Sequence, residues 1–207
     1  MVARYDRRMQ SRSEPGREAT ADWLAEPMLI VVSGVPGSGK TTLAWRVADD
    51  LELRLISKDA IKESLAVAVG LPQTVEESSR LGDAAYAAMF ALARSTLEGG
   101  GIAVLDSNFR RGRSERELVA VAAGRPVRII HCEADPATIE RRYINRASTR
   151  HPSHLDHLRT GDVMRELADG SYEPLVIPGA PLLVIDTSDG QMPAMGPIRS
   201  FLSSAGR

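Results

Sequence analysis

The sequence predicts an α/β fold in which a mainly parallel sheet of five strands lies between helices on both faces. Two observations predict it: short, continuously apolar segments alternate with segments of helical periodicity, and glycine or proline separates most of them. Strands buried on both faces have such apolar runs, and right-handed helical crossovers join them into a three-layer sandwich. The length of 207 residues suits one domain with extensions.

The elements follow in order along the chain. The first strand is expected at 28–32, because Met28 begins an apolar run that stops before Gly34. Four more strands are expected at 53–56, 102–105, 127–131 and 182–185. Helices are expected at 41–50, 60–69, 76–97, 114–123, 136–146 and 158–169.

The polar ends of the chain contrast with its apolar middle. Residues 1–26 are rich in Arg, Glu and Ser without a clean apolar period, so we expect a mobile arm; an extension without function is the alternative. The folded domain is expected over 27–190, with a polar lid at about 142–157. Residues 191–207 are rich in Pro, Gly and Ser, and the composition of this tail predicts no element.

Composition excludes several classes of protein. The formal net charge of −1 gives no general attraction to nucleic acid, so such binding would need a local basic patch. No apolar run approaches the roughly 20 residues that span a bilayer, and the first residues lack the apolar core of a secretory signal. We therefore expect a cytoplasmic protein. Cys132 is the only cysteine, which excludes an intrachain disulfide and a cysteine-based zinc cluster.

A phosphate-binding loop follows the first predicted strand. Residues 34–41 match the pattern G-x-x-x-x-G-K-[ST] at every required position, and a predicted helix follows them. Glycines let backbone N–H groups reach phosphate oxygens, and the helix adds its positive dipole end. Lys40 is expected to contact the β- and γ-phosphates of ATP, or of GTP, and Thr41 to bind Mg²⁺. The expected nucleotide contacts are Gly34, Val35, Pro36, Gly37, Ser38, Gly39, Lys40, Thr41 and Thr42.

Two carboxylates end predicted strands at the same edge of the sheet as this loop. Asp106 follows an apolar strand and is expected to hold Mg²⁺ or, alternatively, to contact the substrate. Asp59 is expected to accept the proton of an attacking hydroxyl. A helix that begins near Ala60 would alternatively make Asp59 its N-cap, and both roles can coexist. Lys62 is expected to steady Asp59 or to touch a phosphate, with an exposed position as the alternative.

The fifth predicted helix carries two arginines on one face. Arg142 and Arg146 are four residues apart, and planar guanidinium groups bind phosphates through paired hydrogen bonds. We expect both to close over the γ-phosphate and to neutralise charge during transfer; a solvated helix face is the alternative. His151, His154 and His157 follow in a polar loop, and their spacing fits no usual metal site.

Two further regions complete the expected site. Asp186 and Thr187 follow the last predicted strand and are expected near the nucleobase. The acceptor pocket is expected to be formed by the segment 60–98, whose apolar side chains are more often core than pocket because helices must bury a face.

These motifs occur in the order seen in small P-loop kinases. The chain resembles the small AAA-domain kinase group, which is similar to the kinase domain of polynucleotide kinase, to chloramphenicol phosphotransferase and to zeta-toxin kinases. The resemblance covers about 27–190 and implies a five-stranded sheet, Asp59 as base, Arg142 and Arg146 as lid arginines, and a substrate contact from Asn108. Polynucleotide kinases have an arginine three residues after the base, where this chain has Lys62. The motifs that carry the resemblance are 34–42, 57–59, 105–108, Arg142 with Arg146, and Asp186 with Thr187.

The resemblance implies ATP- and Mg²⁺-dependent phosphorylation of a hydroxyl. Three functions are compatible with the sequence. The favoured one is a kinase of a small-molecule hydroxyl, on an antibiotic, sugar or nucleoside. A polynucleotide 5′-hydroxyl or nucleotide kinase is the second, and the 4% of aromatic residues argues against a strand-binding groove. A nucleotide-driven switch or regulatory ATPase is the third.

Overall fold

One parallel sheet organises the protein. The structure, a computed structural model, describes residues 2–4, 26–147, 149–191 and 193–204. The strands are β1 (Val2–Arg4), β2 (Met28–Gly34), β3 (Leu55–Ser57), β4 (Ile102–Asp106), β5 (Val127–Glu133) and β6 (Leu182–Asp186). Their order across the sheet is β1-β6-β5-β2-β4-β3, and every neighbouring pair is parallel.

Helices connect these strands and follow the last one. A short 3₁₀ turn at Pro152–His154 lies between two of them. The helices are α1 (Lys40–Asp50), α2 (Lys58–Val69), α3 (Val75–Glu98), α4 (Glu115–Ala122), α5 (Pro136–Ala147), α6 (Asp156–Ala168) and α7 (Met195–Ser203).

The predicted five-stranded parallel sheet is confirmed in β2 to β6. A sixth strand, β1, joins the sheet at its edge and pairs with β6. It comes from the segment assigned above to a mobile arm, and residues 5–25 of that segment lie outside the described residues. Pairing along β6 covers backbone groups that an edge strand would otherwise expose.

Side chains of the central strand β2 alternate between the two faces of the sheet, as expected for extended backbone. Leu29 and Val31 pack with apolar residues of α3 and α4 on one face. Ile30 and Val32 pack with α1 and α7 on the other face. All four side chains are completely buried, so the three-layer α/β arrangement that the sequence predicted is confirmed.

The helix α7 lies in the tail, where the sequence predicted no element. Its residues Ile198 and Leu202 are buried against the same face of the sheet as Leu43 and Val47 of α1. Two apolar residues four positions apart give a helix one buried stripe, which is enough to dock it. Among the described residues, no helix is both long enough and apolar enough to cross a membrane.

The strand register brings three chain segments to one edge of the sheet. Val32 and Ser57 are both register partners of Asp106, in the strands on either side of β4. The loop after β2, the carboxylate that ends β4 and the residues that follow β3 therefore lie side by side. Parallel α/β proteins bind ligands at this carboxyl edge.

Candidate active site

The phosphate-binding loop joins β2 to α1 through glycines with unusual backbone angles. The φ angles are +145° at Gly34, +95° at Gly37 and +78° at Gly39. A Cβ atom at Gly34 would lie 2.4 Å from the carbonyl oxygen of Cys132 and 2.6 Å from Ser38 Oγ. Gly39 is the N-cap of α1. Backbone N–H groups at a helix N-terminus therefore line this turn, which suits a polyphosphate.

The other loop residues divide between the interior and the surface. Val35 is buried beside Ile139 of α5, and Ser38 N donates a hydrogen bond to Val35 O at 3.1 Å. Pro36 lines a cavity next to the loop. Thr41 and Thr42 are exposed in the first turn of α1. The hydroxyls of both threonines are thus accessible to a ligand.

We expect Gly34→Ala to destabilise the protein by about 2 to 4 kcal/mol, because strained backbone and a steric clash act together. Thermal unfolding of the two proteins measures the effect. Gly100→Ala is a matched control, since φ is +82° there but nothing lies within 4 Å of the added atom. Equal loss of stability in both variants would contradict the role assigned to the close contact at Gly34.

Lys40 lies inside this site rather than on the surface. Its side chain is only 4% exposed. Burial lowers the pKa of the ammonium group, the carboxylates of Asp106 and Asp59 oppose that effect, and Arg146 adds to it. The ammonium therefore interacts with both carboxylates that the sequence placed at this edge.

Asp106 has the surroundings of a metal ligand. It is 2% exposed, its Oδ2 accepts a hydrogen bond from Ser57 Oγ at 3.2 Å, and its Oδ1 is buried without a hydrogen-bond partner among the described residues. Burial raises the pKa of this carboxyl, while Lys40 and the neighbouring Thr41 and Ser57 hydroxyls lower it. Mg²⁺ prefers oxygen ligands, so the unpaired carboxylate oxygen and the Thr41 hydroxyl fit this ion.

Asp59 is held between two cations. Lys58 Nζ lies 3.2 Å from Oδ1, and Arg150 forms an ion pair with Oδ2. Burial raises the pKa of this carboxyl, but Lys58 and Arg150 outweigh it and hold the pKa well below its usual range. Asp59 is therefore ionised at neutral pH and both of its oxygens are occupied in this structure.

The N-cap alternative for Asp59 was wrong. Helix α2 begins at Lys58 rather than near Ala60, and Ser57 is its N-cap. Asp59 consequently lies in the first turn, where a negative charge also interacts favourably with the helix dipole. Its side chain remains available to the site.

Lys62 lies on α2 one turn beyond Asp59, and the exposed alternative for this lysine was wrong. It is 4% exposed and its Nζ donates a hydrogen bond to Ser78 Oγ at 2.7 Å. The Ser78 hydroxyl in turn donates to Ser153 O at 2.7 Å. Asp59 is steadied by Lys58 and Arg150 instead, and no ion pair joins Lys62 to it in the part of the chain that the structure describes.

The two predicted lid arginines have different surroundings. Arg142 donates hydrogen bonds to Thr187 O at 2.7 Å and Thr187 Oγ1 at 3.2 Å. The Arg146 guanidinium lies 5.0 Å from the centre of the Tyr143 ring and lines the cavity beside the loop. The alternative of a solvated helix face thus applies to neither residue. The structure places Arg146 near Lys40, whereas Arg142 joins α5 to the end of β6.

Thr187 and Asp186 lie on the opposite side of the loop from Asp59, two strands from β2. Thr187 is buried, and its hydroxyl donates to the loop carbonyl Ser38 O at 2.8 Å. Asp186 is exposed and accepts a hydrogen bond from Ser188 N at 2.8 Å. In this structure Thr187 supports the phosphate-binding loop, and only Asp186 offers its side chain to the surface.

The histidine-rich segment contacts helix α2. His154 Nε2 lies 2.8 Å from a Glu63 oxygen, and its Nδ1 lies 3.3 Å from the Arg150 guanidinium. Burial lowers the pKa of His154 to about 3, with Arg150 opposing its protonation, so the ring is neutral. A neutral ring accepts from Arg150 at Nδ1 and donates to Glu63 at Nε2. His151 bonds within the 3₁₀ turn, and the His157 side chain lies outside the described residues.

A cavity of about 600 Å³ opens next to Asp59. Asn108 lines it, and Oδ1 of its amide is buried without a partner among the described residues. The segment 60–98 contributes Tyr86 and Phe90 to the wall, as expected for an acceptor pocket, whereas Met89 belongs to the core. The walls also carry charged side chains that the sequence did not place at the site, among them Arg110, Arg113 and Arg159.

Fold and site together define a P-loop nucleotide-binding protein of the kinase type. The chain matches the AAA domain family over residues 29–168 and belongs to that family. A solved structure described as a candidate kinase from Chloroflexus aurantiacus has a TM-score of 0.76 and 30% identity, covering 86% of this chain and 97% of that one. The predicted place among the small P-loop kinases is confirmed.

Two further comparisons are more distant. A sugar kinase from Janibacter has a TM-score of 0.52 and 23% identity over 87% of this chain and 96% of that one, which shows the fold alone. A cytidylate kinase from Archaeoglobus fulgidus is 49% identical over 53 residues, or 26% of this chain and 28% of that protein. The chain spans about a quarter of the length of the curated relatives it matches. Family and fold together support a phosphotransferase.

Proposed function

We propose that this protein is an ATP-dependent kinase that transfers the γ-phosphate to a hydroxyl group of a small molecule, such as an antibiotic, a sugar or a nucleoside. The proposal is carried by the meeting of Lys40, Asp106 and Asp59 at one edge of the sheet: the strands that lead to the phosphate-binding loop and to Asp59 both pair with Asp106, and both carboxylates raise the pKa of Lys40 against the effect of its burial. A phosphate-binding lysine beside a carboxylate that faces a separate cavity suits transfer from a nucleotide to a second molecule.

On the donor side, the loop N–H groups and Lys40 would bind the β- and γ-phosphates of ATP. Thr41 and Asp106 would hold Mg²⁺, which when bound neutralises phosphate charge. Arg146 would add a positive charge close to the transferred group, since it lies near Lys40. Asp186, at the far side of the loop, would contact the nucleobase.

On the acceptor side, Asp59 would receive the proton of the attacking hydroxyl. A carboxylate with a low pKa is a weak base, but phosphoryl transfer has a loose transition state in most analyses, so the proton moves late and orientation matters most. One Asp59 oxygen must exchange its cation for the hydroxyl. The Asn108 amide oxygen, which has no partner among the described residues, would accept a further hydrogen bond from the acceptor.

The proposal is tested by incubating the protein with ATP and Mg²⁺ and a library of hydroxyl-bearing metabolites and antibiotics, with phosphorus NMR as the readout. The expected result is a new phosphate monoester signal together with ADP, formed by the wild-type protein and lost in Asp59→Asn. ADP and inorganic phosphate alone, at a rate that no compound in the library changes, would contradict a kinase and favour a regulatory ATPase.

A further inference from the structure

The cavity beside Asp59 has a strongly cationic lining. Seven lysine and arginine side chains line it, against three carboxylates. Two of the cations, Lys58 and Arg150, already form ion pairs with Asp59. Arg110 pairs with Glu166 at 2.6 Å, outside the lining. The remaining cations require a separate explanation.

Lys62 is a buried ammonium group without a carboxylate partner among the described residues. Among the described residues it donates one hydrogen bond, to Ser78 Oγ, although an ammonium group has three N–H donors. Burial, together with the charges of Lys58 and Arg159, lowers its pKa to about 8 against the opposing effect of Asp59. Burying a charge without a partner costs free energy, which a bound anion would offset.

Arg159 lines the same cavity from α6. It is half-buried and makes no hydrogen bond or ion pair with any residue that the structure describes. Its charge lowers the pKa of Lys62, so the two cations lie close enough to repel each other. Two adjacent cations that both lack a counter-ion are the arrangement that binds a doubly charged anion.

The two other carboxylates of the lining do not neutralise this pair. Asp83 and Glu117 are exposed, and neither forms an ion pair within the described residues. Arg113 is exposed, and Arg146 lies near Lys40 of the phosphate-binding loop. The uncompensated positive charge that is shielded from solvent is therefore concentrated at Lys62 and Arg159.

We propose that Lys62 and Arg159 form a subsite for a phosphate monoester carried by the acceptor, so that the hydroxyl compound phosphorylated here already bears one phosphate. The part of this inference that places a hydroxyl at Asp59 rests on the proposed kinase function. Lys62 and Asp59 are three residues apart on one helix face, about 5 to 6 Å between their Cβ atoms. A small phosphorylated compound spans that distance, with its hydroxyl at Asp59 and its phosphate at Lys62.

The test compares matched pairs of hydroxyl compounds with and without a phosphate monoester, and adds the corresponding carboxylates. ATP and Mg²⁺ are present, and kcat/KM is measured for each compound. We expect the phosphorylated member of a pair to be preferred by at least about tenfold, as one charge-assisted hydrogen bond predicts. Equal or better use of the neutral members would overturn the subsite while leaving the kinase in place, and preference for carboxylates would overturn the phosphate assignment.

Two substitutions locate the subsite. Lys62→Met and Arg159→Ala are each expected to weaken use of the phosphorylated acceptor about tenfold or more while changing use of its neutral partner little. Arg165→Ala on the same helix is the control, because Arg165 is exposed and pairs with Asp162. An unchanged preference in Arg159→Ala, which removes a half-buried side chain with no partner and should fold normally, would contradict the assignment.

A binding measurement separates this inference from the proposed function. With the nucleotide site saturated by a non-hydrolysable ATP analogue and Mg²⁺, calorimetry follows binding of a phosphate monoester to wild-type and variant proteins. Binding that is lost in Lys62→Met supports the subsite even where no transfer is found; absent binding overturns it. Affinity should fall as pH rises through about 8, because deprotonation of Lys62 removes the charge.

Discussion

Asparagine in place of Asp59 is expected to lower kcat by about 10²- to 10⁴-fold, the usual contribution of a positioned acid or base. The change keeps the shape of the side chain but removes its ability to accept a proton. Affinity for ATP should stay close to that of the wild-type protein, because Asp59 lies on the acceptor side of Lys40. Single-turnover transfer and nucleotide titration measure the two quantities separately.

The Asp59→Asn variant also tests how much this carboxylate contributes to the stability of the folded protein. The cations Lys58 and Arg150 hold the pKa of Asp59 below its ordinary value, so the carboxylate stabilises the folded state above that ordinary pKa. Wild type should therefore be more stable than Asp59→Asn at neutral pH, and the difference should shrink as the solution is acidified. Asp49→Asn, an exposed position on α1, is the control. Wild-type transfer rates in Asp59→Asn would show that the base is assigned incorrectly.

Methionine in place of Lys40 is expected to reduce transfer by about 10³-fold, because the variant loses the charge that stabilises the transferred phosphate. The same substitution should leave the stability of the folded protein unchanged or raise it. Burial lowers the pKa of Lys40 below its unfolded value, so below the folded pKa the charged lysine costs stability that methionine does not. The apo variant should consequently unfold at the wild-type temperature or above it.

Thermal unfolding with and without an ATP analogue and Mg²⁺ checks both parts of this prediction. The wild-type protein should gain stability from the nucleotide and the Lys40→Met variant should gain much less. Arg94→Met, an exposed position on α3, controls for the loss of one positive charge. Transfer at the wild-type rate in Lys40→Met would remove the P-loop lysine from the mechanism.

The sequence predicted most of the sheet and half of the site. The strand, loop and helix around Lys40 could be predicted because their pattern is local, and Asp59 and Asp106 could be placed because parallel strands share one carboxyl edge. The short strand β1 and the helix α7 were missed. The strand β1 has only three residues, too few to show an alternating apolar pattern. The apolar stripe of α7 lies among Pro, Gly and Ser residues.

The partners of the site residues could not be predicted, because they come from distant parts of the chain. Arg150 reaches Asp59 across 91 positions, and Thr187 reaches Ser38 across 149. Neither pairing leaves a periodic signal in the sequence. The scarcity of lysine was a partial clue, since Lys40, Lys58 and Lys62 are the only lysines and all three lie at the site.

The contact of Arg150 with both Asp59 and His154 has a consequence for timing. If the alcohol of the proposed reaction takes the Asp59 oxygen that Arg150 contacts, the guanidinium has to withdraw before transfer. His154 holds that guanidinium from the 3₁₀ turn, and Glu63 holds His154 from α2. Binding of the acceptor at that oxygen would then loosen the turn, and amide hydrogen exchange at Ser153 and His154 would register this as faster exchange.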